Sequence, residues 1–334
     1  APRQLDDVSM TRSDSTLPPS HSTIWTAMQL LWLLAVVMQL SRILSVQSTT
    51  GETPFHSAND RSRWCTVAAL AINGSYVIDD ILEIREPVKK RRVWYTIDLV
   101  QHRGPDGKQH FYSSKPPLLP TLVTGVYLVV RNVTGATLMN DTFFAARAVL
   151  IVVNLLPLAI AWWLAAHWLR RRNDLTDWSK LLLFAFITFG TFLSTFASTL
   201  NNHLPAALAV AASLWAAGRI VVHRDLRWRW FILAGLATSF AAANELPALS
   251  WVAAVAGLLL LSDLRKTVLG YLPALIPVAI GFFGTNYLAH GQFSPAYAHR
   301  GLGPQLLAIP VDSTDIPAEQ IVAEVTEQLS QRGI

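Results

Sequence analysis

At 334 residues, with 52% hydrophobic and only 15% charged side chains, the chain is too apolar for a soluble domain, in which about 25% of residues carry charge. Its formal net charge of +5 is gathered at the ends of apolar runs. That is the orientation signal of a membrane protein and excludes a nucleic-acid footprint. A single cysteine, Cys65, rules out an intramolecular disulfide and a cysteine-built metal site.

Residues 1–23 are polar and rich in Ser, Thr and Pro, a composition expected of a disordered cytoplasmic tail. Residues 24–46 read as a first transmembrane helix. Residues 47–142 then form a polar segment too long for the positive-inside rule, so Lys89-Lys90-Arg91-Arg92 does not place it. By default that run is a solvated basic face, with anionic headgroups as the alternative contact. Within the segment, Ser62 to Asn73 is expected to be helical and stopped by Gly74, with Asp60 placed as its N-cap. Val93 to Val100 and Gln109 to Ser113 are expected to pair as strands around Gly104-Pro105-Asp106-Gly107. Leu118 to Val130 is apolar but short, which predicts an interfacial or re-entrant helix.

Residues 143–289 read as a transmembrane bundle. Arg170-Arg171-Arg172 closes its first span and marks the cytoplasmic side. Asn201-Asn202-His203-Leu204-Pro205 breaks the next apolar run into a hairpin with basic ends. Trp230 to Leu261 is too long for one pass and is basic on both flanks, so it is split at Asn244-Glu245-Leu246-Pro247. The parity puts the long loop, both polar tips and residues 290–334 on the outer face. Asp315 to Leu329 has the pattern of a capped amphipathic helix. The expected architecture is an all-α polytopic membrane protein with about seven transmembrane helices. Its large outer first loop holds short helices and a small β-hairpin.

Three polar features thus meet on one face: the loop, the tip at His203 and the tip at Glu245. Polar groups at membrane depth face cavities, so a site is expected there. The loop reads Asp60-Arg61-Ser62-Arg63-Trp64, then Gly74-Ser75-Tyr76, then Phe111-Tyr112-Ser113-Ser114-Lys115-Pro116-Pro117, and Phe143-Phe144-Ala145-Ala146-Arg147 leads into the second span. In these motifs and in layout from about Asn59 to His299, the chain resembles membrane glycosyltransferases of the GT-C fold. The likeness is to the branch of lipid A aminoarabinose transferases and protein O-mannosyltransferases. Arg61 stands where that branch commonly has a second acid.

The resemblance implies transfer of a sugar from a polyprenyl-phosphate donor to a glycan, lipid or protein acceptor. The implied location is the outer face of a bacterial cytoplasmic membrane. Asp60 becomes the catalytic carboxylate that takes or orients the acceptor proton. Lys115, Arg63 and Tyr112 become ligands of the donor phosphate, whose negative charge grows as it leaves. His203, Asn202, Glu245 and Asp80 are candidates for the acceptor side or for supporting contacts. No metal ligands are assigned; a divalent metal is compatible with the motifs and not required by them. The plainer readings are a snorkelling Lys115, hydrogen-bonding turns at the two tips and a solvated loop face at Asp79-Asp80. A lipid-linked sugar transporter, or a GT-C-like protein without activity, are the competing functions. The first should show matching broken helices in two halves, and the sequence has no such halves.

Overall fold

The computed structural model describes residues 21–295 other than Pro87 and Pro105, together with 322–323 and 325–327. The expected N-terminal tail up to residue 20 and nearly all of the expected C-terminal amphipathic helix lie outside the described residues; the last three residues assigned to that tail, 21–23, instead open the first helix. The chain is a helical membrane protein. Among the described residues, five helices are long and apolar enough to cross a bilayer: Thr23–Ser45, Thr142–Arg170, Asp177–Phe196, His203–Val221 and Leu264–His290. The first belongs to α1 (His21–Ser45). The second is α5 (Thr142–Leu150), a π turn over Ile151–Leu155 and α6 (Leu156–Arg170). The third is α7 (Asp177–Phe189) with α8 (Leu193–Phe196), and the fourth is α9 (His203–Val221). Next, α10 (Trp228–Asn244) and α11 (Leu249–Leu260) form a hairpin that turns at Glu245 and a 3-10 turn over Leu246–Ala248. At 1.5 Å per residue these two reach only about 26 and 18 Å, against a hydrocarbon core of about 30 Å. The fifth is α12 (Leu264–Lys266), a π turn over Thr267–Tyr271 and α13 (Leu272–His290).

Both π turns immediately precede a Leu-Pro pair, Leu156-Pro157 and Leu272-Pro273. Proline has no N–H and its ring crowds the carbonyl four residues back. Widening the preceding turn relieves that conflict without ending the span.

The segment between α1 and α5 is a folded unit with its own core. Helix α2 (Ala58–Asn73) buries Trp64, Cys65, Val67, Ala68 and Ala69. They meet Phe55 and Trp94, with Phe55 stacked 5.7 Å from Trp64 and edge-on 4.7 Å from Trp94. This core runs without a gap into Ile43 of α1 and Ala145, Val149 and Leu150 of α5, so the unit is rooted in the bundle. The helix starts earlier than Ser62, and its N-cap is Ser57 rather than Asp60. Ser57 Oγ accepts from Asp60 N at 3.1 Å while Asp60 Oδ2 accepts from His56 N at 2.9 Å. The serine caps the helix as in a capping box, but the acid three residues later bonds the amide just before the cap rather than the cap's own. As expected, Gly74 ends the helix, at φ 62°, with its N–H bonded to the Leu70 carbonyl.

After α3 (Asp79–Leu82) come β1 (Leu99–Arg103) and β2 (Gln109–Ser113), antiparallel with Leu99 opposite Ser113. The hairpin was expected, but its first strand lies later than Val93 to Val100. Pairing starts at the turn, and β2 stops at Ser113 before Pro116-Pro117. Residues 93–98 take other partners: the Val93 N–H bonds to the Ile84 carbonyl and the Ser114 N–H to the Asp98 carbonyl, while Trp94 goes into the core.

Helix α4 (Leu118–Thr134) has 17 residues, which is short for a crossing, as expected. One face, with Leu119, Val123 and Tyr127, packs into the core of the loop unit. The other leaves Leu122, Val129 and Val133 49–80% exposed, an apolar stripe suited to headgroup depth.

Helix α10 is the hub of the second half and packs on both α9 and α13. Gly235 lets α13 approach: a Cβ there would stand 2.4 Å from the Tyr271 carbonyl oxygen and 2.7 Å from Ala274 Cβ. Backbone cannot swing aside as a side chain can. Gly235→Ala is therefore expected to destabilise by about 1–3 kcal/mol through overpacking, read as a lower unfolding midpoint in detergent. Gly284→Ala on α13, with nothing near its Cβ, should leave the midpoint unchanged or raise it.

Candidate functional site

The break between α8 and α9 organises the site. Residues 197–202 leave helical geometry inside an apolar environment, where each unpaired backbone group is costly. Three side chains supply the partners. Asn154, in the π turn of the second span, donates its Nδ2 to the carbonyls of Ala197 (3.0 Å) and Thr199 (2.9 Å). Asn201 donates to the Phe196 and Thr199 carbonyls at 2.6 and 3.0 Å, and its Oδ1 accepts from the His203 and Leu204 amides. Asp60, from the loop, accepts Leu200 N–H at 2.8 Å.

Asp60 is therefore the joint between α2 and the broken span. It is 2% exposed, and each carboxylate oxygen takes one backbone amide. Burial raises its pKa to about 6, held from going further by the Leu200 and His56 amides and by the nearby Arg63 charge. Arg63, one turn along the helix, is 3% exposed. Its Nε and Nη2 both donate to Asn202 Oδ1, at 3.0 and 2.6 Å, and Nη1 donates to the Asn59 side chain. Burial lowers the Arg63 pKa to about 10, opposed by Asp60, Asp98 and Glu245, so the guanidinium stays charged at neutral pH. Asn202 in turn donates Nδ2 to the Asn244 carbonyl at 2.8 Å. The loop, the α8–α9 tip and the α10–α11 tip are thereby joined by one chain of hydrogen bonds.

At the rim, His203 Nδ1 lies 2.7 Å from Glu245 Oε1, with the two side chains 53% and 34% exposed. This dyad, one residue from each tip, is the most open acid–base pair of the cluster. Lys115 closes the other side. Its Nζ is 3.0 Å from Asp98 Oδ1 and its side chain is 20% exposed. Ser62 Oγ, on α2, donates to the Asp98 carbonyl at 2.6 Å and lies 2.6 Å from Ser113 Oγ, which accepts from Lys115 N. Lys115 and Asp60 thus sit on adjoining segments at the same end of the bundle. The triple arginine is at the opposite end, where Arg170 lies 4.9 Å over the Trp25 ring at the start of α1.

Two expected site residues are elsewhere. Tyr112 does not accompany Lys115. Side chains alternate along a strand, and with Ser113 turned to α2, Tyr112 faces the other way. It stacks on His102 at 3.9 Å and meets His290 edge-on at 5.6 Å. Asp80 is exposed; its neighbour Asp79 makes the contacts, accepting from Phe111 N and lying 2.6 Å from His110 Nδ1. His110 also meets Asp106, and the two carboxylates raise its pKa, so this group pins the hairpin to α3. Asp98 and Asn154 belong to this cluster and were not among the residues expected from the sequence. For Asn154 a signal existed: it is a lone carboxamide within Ile151-Val152-Val153-Asn154-Leu155, and polar residues in spans face the bundle interior. For Asp98, in a loop rich in charge, there was none.

Among the described residues, no three His, Cys, Asp or Glu side chains are grouped so as to hold a metal ion. No protein-family model, curated protein or solved structure matches the chain.

Proposed function

We propose that the chain is a GT-C-like membrane glycosyltransferase that moves a sugar from polyprenyl phosphate to an acceptor at the outer face of a bacterial cytoplasmic membrane. On this reading α10 and α11 complete seven spans. The observation that carries it is the hydrogen-bonded chain Arg63–Asn202–Asn244. It gathers residues of the loop and both helix tips at the bundle end where a lipid-borne head would lie. Two of the loop motifs that resemble the GT-C family contribute to this cluster, one through Asp60 and Arg63 and the other through Lys115.

Each group then has a task. An acceptor hydroxyl or amine attacks the anomeric carbon, the bond from that carbon to the phosphate oxygen breaks, and the acceptor proton passes to a base. Glu245, oriented by His203, is the open carboxylate for that proton. Lys115 is the cation for the phosphate that leaves with the electron pair. Asp60 is a positioning residue: it fixes α2 against the broken span and keeps Arg63 in place.

The test is turnover of a polyprenyl-phosphate sugar by the full chain in lipid nanodiscs, read as polyprenyl phosphate released with water or an added alcohol as acceptor. Wild type should release it above protein-free discs. Glu245→Gln should lower kcat by about 10²–10⁴ with KM little changed. Release no faster than in empty discs with every donor tried would remove the transferase and leave a transporter or a silent relative. A wild-type rate in Glu245→Gln would move the base elsewhere.

A further inference from the structure

The segment Arg85–Tyr95 has no part in the site above, yet it is built to a definite shape. Ile84 and Val93 pair through backbone, Arg85 bridges Arg92, and the Glu86 N–H bonds to the Arg91 carbonyl. The turn closes with Lys90 at φ 55°, a left-handed conformation that a non-glycine residue rarely holds. The Glu86 carboxylate accepts the Val88 and Lys89 amides, so it serves the turn that shapes the loop. The Arg85 guanidinium donates to the Lys90 carbonyl at 3.1 Å, and Arg61 of α2 holds the Tyr95 carbonyl at 2.8 Å. The result is an open basin of about 430 Å³ lined by Arg85, Lys90, Arg91, Arg92 and Tyr95.

The charges in the basin do not cancel. Arg91 pairs with Glu52, and Arg85 and Arg92 share Glu83 at 3.4 and 2.9 Å. Among the described residues, no carboxylate pairs with Lys90. With Lys89 and Glu86 included, five cations stand against three carboxylates. Two arginine forks that share one carboxylate keep N–H groups free, in the planar geometry that suits a phosphoryl group. The pair Arg91–Glu52 also fixes the basin's place. Glu52 lies a short way past Ser45, the end of α1, so the pair ties the basin to the segment that leaves the first span.

We infer that this basin is a binding site for a phosphomonoester, held by Lys90, Arg92 and Arg85 with Tyr95 as its wall. It is independent of sugar transfer, because none of its lining residues belongs to the Asp60–Lys115 cluster. A lipid headgroup and free phosphate share this chemistry, and the experiment separates them. Titrate the full chain in non-ionic detergent with dihexanoyl phosphatidic acid, inorganic phosphate and, as the zwitterionic control, dihexanoyl phosphatidylcholine. Phosphatidic acid should bind, weaken with added salt and weaken at least tenfold in Lys90→Gln/Arg92→Gln. Lys108→Gln, in the distant hairpin turn, should bind as wild type. Phosphate binding of similar strength supports free phosphate as the source; binding of the lipid form alone supports a headgroup. No saturable binding of either, phosphatidylcholine binding as tight as phosphatidic acid, or unchanged affinity in Lys90→Gln/Arg92→Gln with an unchanged unfolding midpoint each overturns the site. Because the readout is binding, a failed transferase assay leaves the answer legible.

Discussion

Asp60→Ala is expected to lower stability by about 3–5 kcal/mol, the range for removing one partner of a buried charged group. The Leu200 and His56 amides lose their acceptor, and Arg63 loses the first of its opposing carboxylates. The pH dependence separates the charge from the shape. The Asp60 pKa is about 6 in the folded protein against 3.8 for an unperturbed aspartate. Between these values the folded chain holds a proton that the unfolded chain has released. The favourable contribution is therefore complete below pH 4 and lost as pH rises through 6, by about 3 kcal/mol for a shift of this size. Unfolding of wild type and Asp60→Asn, compared from pH 4 to 7 in one detergent, should show wild type losing stability relative to the variant across that window. Parallel curves would mean that Asp60 titrates as an ordinary carboxylate and that its burial is relieved in solution.

Lys115→Ala should leave the fold nearly intact and reduce donor turnover by about 10²–10³, the effect of deleting one donor that meets developing negative charge. Its partly exposed ion pair with Asp98 is worth about 0–1 kcal/mol, so the unfolding midpoint should move little. Lys115→Arg, which keeps the charge, should recover part of the rate. Turnover within about twofold of wild type in Lys115→Ala would reduce the residue to a structural contact of the loop and remove the phosphate from its side of the cluster.

The membrane architecture was legible because it follows from apolar length and basic flanks. The turn at Glu245 is the clearest instance: flanks of equal sign at Arg229 and Arg265 demand a return, and the chain turns where the polar residues interrupt it. The span count was less legible, because α10 and α11 are short and only packing decides what they do. Local chemistry misled where two rules competed. Asp60 satisfies the composition of an N-cap, but Ser57 three residues earlier does so with its hydroxyl on the Asp60 amide, which moved the helix start. Tyr112 was read from its motif, and strand alternation then turned it from Lys115. What brings Asp98 to Lys115, or Asn154 to the broken span, is contact between segments far apart in the chain, and no local pattern encodes that.

The bare stripe of α4 has a bearing on how a reactant arrives. With Leu122, Val129 and Val133 turned out and Val123 and Tyr127 locked to the loop unit, α4 on the proposed reading would act as a float that sets the draught of that unit. Lys115 stands just ahead of it in the chain, so its ammonium rides at a fixed level. If the proposed transfer holds, an amphiphile diffusing in the leaflet would need only to drift sideways, its polar end already at the right height.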